Sequence, residues 1–99
     1  MEIRYTQENG VAVFHIEGRL TYLDAPRFKE VLQRFAGVST ACEVDLGGLS
    51  FVDSTGLSLF VGLYDAACAS GVDLAFRHAQ GPVKAALKNA SFETLVPMR

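Results

Sequence analysis

The sequence predicts a single α/β domain over residues 1–99, with a mixed, mostly parallel sheet of four to five strands, an N-terminal hairpin and about three helices. Apolar residues alternate with a period of two in some segments and follow a helical period in others, and the two kinds of segment take turns along the chain. An Asn9-Gly10 pair favours a tight hairpin near the start. A chain of this length can bury one modest core.

The first two strands are predicted on either side of Asn9-Gly10. Ile3 and Tyr5 alternate with polar neighbours before the turn, and residues 11–17 continue the pattern after it. The two strands should therefore pair antiparallel and open the sheet.

A one-sided amphipathic helix is predicted over residues 25–36. Asp24 is the expected N-cap, Pro26 belongs to the first turn and Gly37 follows the end. The apolar positions recur at i, i+3, i+4 and i+7, which marks the face turned to the core. They are Phe28, Val31, Leu32 and Phe35.

The middle of the chain continues the exchange of strands and helices. Alternation predicts a third strand over residues 41–46, which Gly47-Gly48 ends. Residues 49–52 then form a short apolar strand that leads into a second helix over residues 55–69.

The last third of the chain repeats the pattern on a smaller scale. Residues 72–76 read as a strand, residues 83–90 as a short helix after Gly81-Pro82, and residues 95–96 as a last short strand. The main order is strand, strand, helix, strand, helix, strand, helix, strand, which indicates a mostly parallel sheet.

Composition excludes several classes of function. The formal net charge is −2 with both signs mixed along the chain, which gives no footprint for nucleic acid. The start lacks a signal-peptide pattern, and no apolar run approaches the roughly 18 residues of a membrane span, so we expect a cytoplasmic protein without membrane insertion. Cys42 and Cys68 lack metal or redox spacing and are expected to be buried free thiols. The sequence therefore predicts no metal and no cofactor.

Catalytic motifs are not found either. A nucleophile elbow needs Gly two residues before its Ser, but Val52 precedes Ser54 by two. His15 and His78 have no acidic neighbour in sequence that suggests a triad, and no phosphate-loop motif is present. We therefore expect a binding protein and not an enzyme.

The second helix has two unlike faces. A wide apolar arc should mostly meet the core; it comprises Leu57, Leu59, Phe60, Val61, Leu63, Tyr64, Ala67 and Cys68. The other arc carries no Lys, Arg or Glu, and comprises Ser58, Gly62, Asp65, Ala66 and Ala69. If the helix extends back to Ser54, that residue lies on the second arc, whose short side chains would let another backbone approach closely.

The junction of strand and helix at residues 53–57, Asp-Ser-Thr-Gly-Leu, is the most informative stretch. Asp53 and Ser54 are residue types that accept hydrogen bonds from the unpaired N–H groups of a helix start. The same groups favour a phosphate.

Around this junction, residues 42–71 closely resemble the STAS family, of the bacterial anti-sigma-factor antagonist type. The resemblance implies that Ser54 is phosphorylated by an ATP-binding serine kinase that is also the anti-sigma factor. The unmodified chain would bind the kinase and free the sigma factor, the phosphorylated chain would be released, and a phosphatase would reset Ser54. The partner-binding residues expected on this basis are Thr21, Tyr22, Asp53, Ser54, Thr55, Gly56, Ser58, Gly62 and Asp65.

Two departures from the antagonist pattern keep alternatives open. Many antagonists carry Gly-Glu-Leu-Asp after the second strand, whereas residues 18–21 here are Gly-Arg-Leu-Thr. Many also add a helix beyond the last strand, whereas this sequence ends at Arg99. An end so soon after the last strand resembles the small STAS subunit that binds the ATPase of a phospholipid-transport ABC system. A STAS module of another signalling complex is a further alternative.

Overall fold

The computed structural model describes residues 1–35 and 41–99, and in these ranges it has a five-stranded mixed sheet and three α-helices. The predicted α/β fold class is confirmed. The strands are β1 (Glu2–Glu8), β2 (Val11–Leu20), β3 (Ala41–Asp45), β4 (Leu49–Val52) and β5 (Asp73–Arg77); the helices are α1 (Ala25–Phe35), α2 (Ser54–Ser70) and α3 (Gly81–Asn89). Short 3₁₀ turns occupy Tyr22–Asp24 and Phe92–Thr94.

The long strand β2 organises the sheet. It pairs antiparallel with β1 across Asn9 and Gly10, whose φ values of 54° and 81° fit the tight hairpin turn that the sequence predicts. Its other edge pairs parallel with β3 in its first half and with β4 in its second half, and β3 pairs parallel with β5. The predicted hairpin and mostly parallel sheet are therefore confirmed.

The short strand predicted at residues 49–52 is confirmed as β4, and it joins the sheet because β2 is long enough to pair with β3 and β4 in succession. One other detail differs from the prediction. The strand expected at residues 95–96 is wrong. Residues 95–96 follow the 3₁₀ turn Phe92–Thr94, and the backbone N–H groups of Leu95 and Val96 both donate to the carbonyl of Phe92. β5 instead pairs with the chain at an isolated bridge from Phe76 to Met98.

The start of α1 also differs from the prediction. Asp24 does not cap this helix; it ends the preceding 3₁₀ turn, where its carboxylate accepts from the backbone N–H of Thr21. Phe28 and Val31 are buried as expected. The predicted helix end at residues 36 and 37 lies outside the described residues.

The core between helices and sheet is centred on phenylalanine rings. Phe60 of α2 lies 5.1 Å from Phe76 of β5, 6.2 Å from Phe28 of α1 and 6.3 Å from Phe92, measured between ring centroids. All four rings are buried. Aromatic pairs at such distances add to the stability gained from burial alone. This cluster fixes the position of α2 on the sheet.

The two thiols differ in burial. Cys42 is buried on β3, and burial together with the nearby Glu43 raises the pKa of its thiol to about 12. Cys68 on α2 is exposed, so the expectation of two buried thiols is wrong for Cys68. Cys68 belongs to the apolar arc predicted for the second helix, so part of that arc lies outside the core. None of the described helices is both long and apolar enough to cross a membrane.

Candidate functional site

The junction of β4 and α2 is held by the carboxylate of Asp53. This residue is the N-cap of α2, and its Oδ1 accepts from the backbone N–H of Gly56 at 2.8 Å. Its Oδ2 accepts from the backbone N–H of Tyr22 at 3.1 Å. Asp53 therefore joins the start of α2 to the turn that follows β2.

The turn that follows β2 is fixed by a reciprocal cap. The Thr21 hydroxyl accepts from the backbone N–H of Leu23 at 3.3 Å, while Asp24 accepts from the backbone N–H of Thr21 at 2.9 Å. This arrangement is a capping box. The hydrogen bond from the Thr21 backbone N–H lowers the pKa of the Asp24 carboxyl; burial opposes this, but the Met1 ammonium and the Thr21 hydroxyl lower the pKa further, so it lies below its usual value.

Ser54 is exposed at the first position of α2, so the helix begins one residue before the start expected from the sequence and includes Ser54. The described residues offer its hydroxyl no hydrogen-bond partner, because the cap is Asp53. Its carbonyl accepts from the hydroxyl of Ser58 at 3.1 Å. The Ser54 oxygen is therefore accessible to a modifying enzyme, beside helix N–H groups that favour a phosphate.

An exposed stripe runs from Ser54 along the outside of α2. We call it the α2 outer stripe, and it comprises Ser54, Ser58, Val61, Asp65 and Cys68. The spacing of three and four residues places these side chains on one face. Of the other residues expected on this face, Gly62 and Ala66 are half-buried and Ala69 is exposed. Val61, expected in the core, is 39 % exposed and lies between the serines and Asp65.

Gly56 contributes to the site from inside the fold. It is buried, and a Cβ atom there would lie 2.5 Å from Cγ2 of Val52 and 2.9 Å from the carbonyl oxygen of Leu20. The first turn of α2 therefore presses directly on the ends of β2 and β4. We accordingly assign Gly56 a packing role and leave it out of the partner surface expected from the sequence.

The structure brings most of the expected site residues to one end of the molecule. The hydrogen bond from the Tyr22 backbone N–H to Asp53 holds Thr21 and Tyr22 beside Asp53. Ser54 and Ser58 follow on α2. Thr55 is half-buried at the same turn. Asp65, about three helical turns from Ser54, lies at the far part of the stripe.

Sequence reasoning missed the exposed Leu23, which lies next to Tyr22; the two side chains are 71 % and 67 % exposed. The signal in the sequence was Thr21 followed three residues later by Asp24, the pattern of a capping box. A capping box fixes the backbone of the turn, so the side chains of Tyr22 and Leu23 between these residues point outward.

The Asp53 cap can be tested through stability. Asp53→Ala removes both backbone contacts, so we expect the free energy of unfolding to fall by about 1–2 kcal/mol. Asp53→Asn keeps a side-chain oxygen and should recover part of this loss. Asp65→Ala is the matched control, because the described residues give Asp65 no bond; it should change stability by no more than about 0.5 kcal/mol. Urea denaturation of the three variants measures the effect, and equal stabilities for Asp53→Ala and wild type would refute the capping role.

A second polar cluster lies on the face of the sheet away from the helices. The Asp45 carboxylate lies within hydrogen-bond distance of both imidazoles. Its Oδ2 is 3.2 Å from Nδ1 of His15, and its Oδ1 is 3.1 Å from Nδ1 of His78. His15 Nε2 lies 3.0 Å from the hydroxyl of Thr6. Sequence reasoning found no acidic partner for either histidine, because Asp45 lies about 30 residues from both and only the pairing of β2, β3 and β5 brings them together.

The guanidinium of Arg77 forms ion pairs with three carboxylates on other strands of the sheet. Its nitrogens lie 3.2 to 3.4 Å from oxygens of Glu8, Glu43 and Asp45. Burial raises the pKa of Asp45, but the backbone N–H of Gly47 together with His78 and Arg77 lowers it below its usual value. No group of three side chains suited to a metal ion occurs in the described ranges. The cluster is therefore best described as an ion network that covers the open face of the sheet.

This network predicts a pH-dependent contribution to stability. Because the pKa of Asp45 is lowered in the folded state, its stabilising effect is present above the unfolded value near pH 4 and is lost as the pH falls further. We expect Asp45→Asn to cost about 1–3 kcal/mol at pH 7 and progressively less below about pH 4. Asp73→Asn, at the exposed first position of β5, is the matched control. Denaturation curves between pH 3 and 7 test this, and a constant difference across that range would contradict it.

Comparison with known proteins identifies the fold. The family model described as STAS domain matches residues 2–99. A search of curated proteins returned no match. A solved structure from Thermotoga maritima, described provisionally as an anti-sigma factor antagonist, has a TM-score of 0.86 at 20 % identity and covers 97 % of this chain and 84 % of its own.

Two further solved structures share the fold. The anti-sigma factor antagonist SpoIIAA in its unphosphorylated form has a TM-score of 0.73 at 16 % identity over 99 % of this chain and 87 % of its own. The STAS domain of a SulP transporter from Vibrio cholerae has a TM-score of 0.74 at 19 % identity over 92 % of this chain and 71 % of its own. At these identities the likeness shows the shared fold alone.

Proposed function

The chain belongs to the STAS domain family, and from this premise we propose that it is an anti-sigma-factor antagonist controlled by phosphorylation of Ser54. Unmodified, it binds an anti-sigma serine kinase in the cytoplasm and frees the sigma factor. Once phosphorylated it releases the kinase, and a phosphatase restores the first state. The chain acts by binding and not by catalysis.

The observation that carries this proposal is the exposed Ser54 hydroxyl at the start of a helix whose cap is another residue. Because Asp53 already satisfies Gly56 and Tyr22, phosphorylation of Ser54 need not disturb the junction. In the modification, Ser54 Oγ displaces ADP from the γ-phosphorus of ATP and loses its proton. The product carries a charge of about −1.5 to −2 at a helix start, where the helix dipole favours it.

The surface around Ser54 supports the binding part of the proposal. The α2 outer stripe has short side chains near Ser54, and Tyr22 and Leu23 add exposed apolar area beside Asp53. Apolar side chains grouped on a surface mark sites of protein association. Thr21, Thr55 and Gly62 border this surface, and Asp65 extends it along α2.

The fold neighbours allow two kinds of binding role. Two of those described above are antagonists by name and one is a transporter STAS domain. Only the antagonist role requires a hydroxyl that is open to phosphorylation. The accessible Ser54 therefore favours the antagonist role.

The proposal is tested with the purified chain and a purified serine kinase of the anti-sigma type from the same genome. With ATP we expect one phosphate per chain on Ser54, and none on Ser54→Ala. Ser58→Ala, one helical turn away, should still accept the phosphate and is the matched control. A wild-type chain that neither binds such a kinase nor accepts phosphate would overturn the proposal and favour a constitutive partner such as a transporter ATPase.

A further inference from the structure

A groove of about 550 Å³ lies beside Asp53, and its described lining includes no residue of α2. Its walls come from the end of β2, from β4 and from the 3₁₀ turn, and the side chains used below are Arg19, Tyr22, Leu23 and Phe51. We propose that this groove binds a segment of a partner protein in which an apolar side chain adjoins a carboxylate. This inference rests on the binding role proposed above and deepens it, because it names the chemistry of the partner segment that lies beside Asp53.

Two large apolar side chains are exposed at the groove. Four large apolar side chains are exposed in the described ranges, and two of them, Tyr22 and Leu23, line this groove. A third, Val61, lies on the α2 outer stripe, and Leu95 lines a different cavity. Large apolar side chains that meet at a concave surface are the usual anchors of a protein interface.

These apolar walls are held in place before any partner arrives. The backbone N–H groups of Tyr22 and Leu23 donate to Asp53 and to Thr21, respectively. A turn fixed in this way does not need to be ordered on binding, so less conformational entropy is lost. The exposure of both side chains therefore follows from the fold.

The other charged groups at the groove already have partners. The Asp24 carboxylate pairs with the Met1 ammonium at 3.3 Å and accepts from the Thr21 backbone N–H, and both oxygens of Asp53 accept from backbone N–H groups. Arg19 has no ion pair within the described residues, and its guanidinium lies 4.5 Å from the centroid of the Phe51 ring. An arginine stacked in this way keeps its N–H donors free for a carboxylate.

The two parts together select the chemistry of the partner. An apolar side chain fits between Tyr22, Leu23 and Phe51, and an acidic neighbour reaches Arg19. A basic neighbour would meet Arg19 as a like charge, which is unfavourable. The groove should therefore discriminate by the sign of the charge as well as by apolar contact.

The test uses two short peptides as probes, acetyl-Glu-Leu-Phe-Asp-amide and acetyl-Lys-Leu-Phe-Lys-amide, titrated into the isotope-labelled chain and followed by NMR. We expect the acidic peptide to shift the amide signals of Tyr22, Leu23 and Phe51 and to bind about two- to fivefold more tightly than the basic peptide. Arg19→Glu should reverse this preference. Lys84→Glu, an exposed charge reversal on α3, should leave it unchanged.

Leu23→Ser tests the apolar anchor and should weaken binding of the acidic peptide about tenfold. Leu95→Ser removes an exposed leucine elsewhere and should have no effect. Equal affinity for both peptides, shifts confined to other residues, or no shifts at millimolar peptide would overturn the inference. Because no kinase or phosphate enters the experiment, its failure is distinct from failure of the function proposed for Ser54.

Discussion

Ser54→Glu is expected to weaken binding to the anti-sigma serine kinase by at least about a hundredfold. A partner that covers the start of α2 must remove this charge from water, beside the carboxylate of Asp53, whose own bonds go to backbone N–H groups. Burying such an unpaired charge costs several kcal/mol, and about 2.8 kcal/mol already corresponds to a hundredfold change in affinity.

The same substitution should leave the free energy of unfolding within about 0.5 kcal/mol of wild type, because an acidic residue is tolerated or favoured in the first turn of a helix. Titration calorimetry and urea denaturation measure the two quantities. Ser54→Ala should bind as tightly as wild type, and Ser70→Glu, the same change at the other end of α2, is the control for added charge. Unchanged binding by Ser54→Glu would contradict a switch at this residue.

Gly56→Ala should destabilise the domain by about 1–3 kcal/mol, the range expected for overpacking. The added Cβ would lie within 3.0 Å of both the Val52 side chain and the Leu20 carbonyl oxygen, and the second of these belongs to the sheet and cannot simply rotate away. α2 would have to move off the ends of β2 and β4, so the position of Ser54 would change as well.

Gly62→Ala on the same helix is the matched control for Gly56→Ala. A Cβ at Gly62 would meet no atom of the described residues within 4 Å, apart from the backbone of its own helix, so Ala there should stabilise the domain by up to about 1 kcal/mol through its higher helix propensity. Thermal or urea denaturation of both variants should show a lower free energy of unfolding for Gly56→Ala and a higher one for Gly62→Ala. Two variants of similar stability would show that α2 does not pack on β2 and β4 as described.

The elements with strong local signals could be predicted from the sequence. The Asn9-Gly10 hairpin and the three helices were found because turn chemistry and apolar periodicity act over a few neighbouring residues. The prediction of a strand at residues 95–96 was wrong, because Val96 is buried equally well in the turn that follows Phe92–Thr94. Burial of an apolar residue does not by itself specify an extended backbone.

The candidate site was predicted in part, for a similar reason. Asp53 and Ser54 have a local signature, the residue types of a helix start, and the structure places them there. The contact of Asp53 with Tyr22 and the meeting of Asp45 with His15 join residues about 30 positions apart. Such contacts depend on the register in which distant strands pair, and the residues near each strand in the sequence do not reveal that register.

The central claim, that Ser54 is a switch, is tested most directly by phosphopeptide mapping of this chain, recovered from its own cells during growth and under stress. We predict phosphate on Ser54, at an occupancy that changes with the condition, and none on the half-buried Thr55. A Ser54 that stays unmodified in every condition would contradict the account and would indicate a partner that remains bound regardless of phosphorylation.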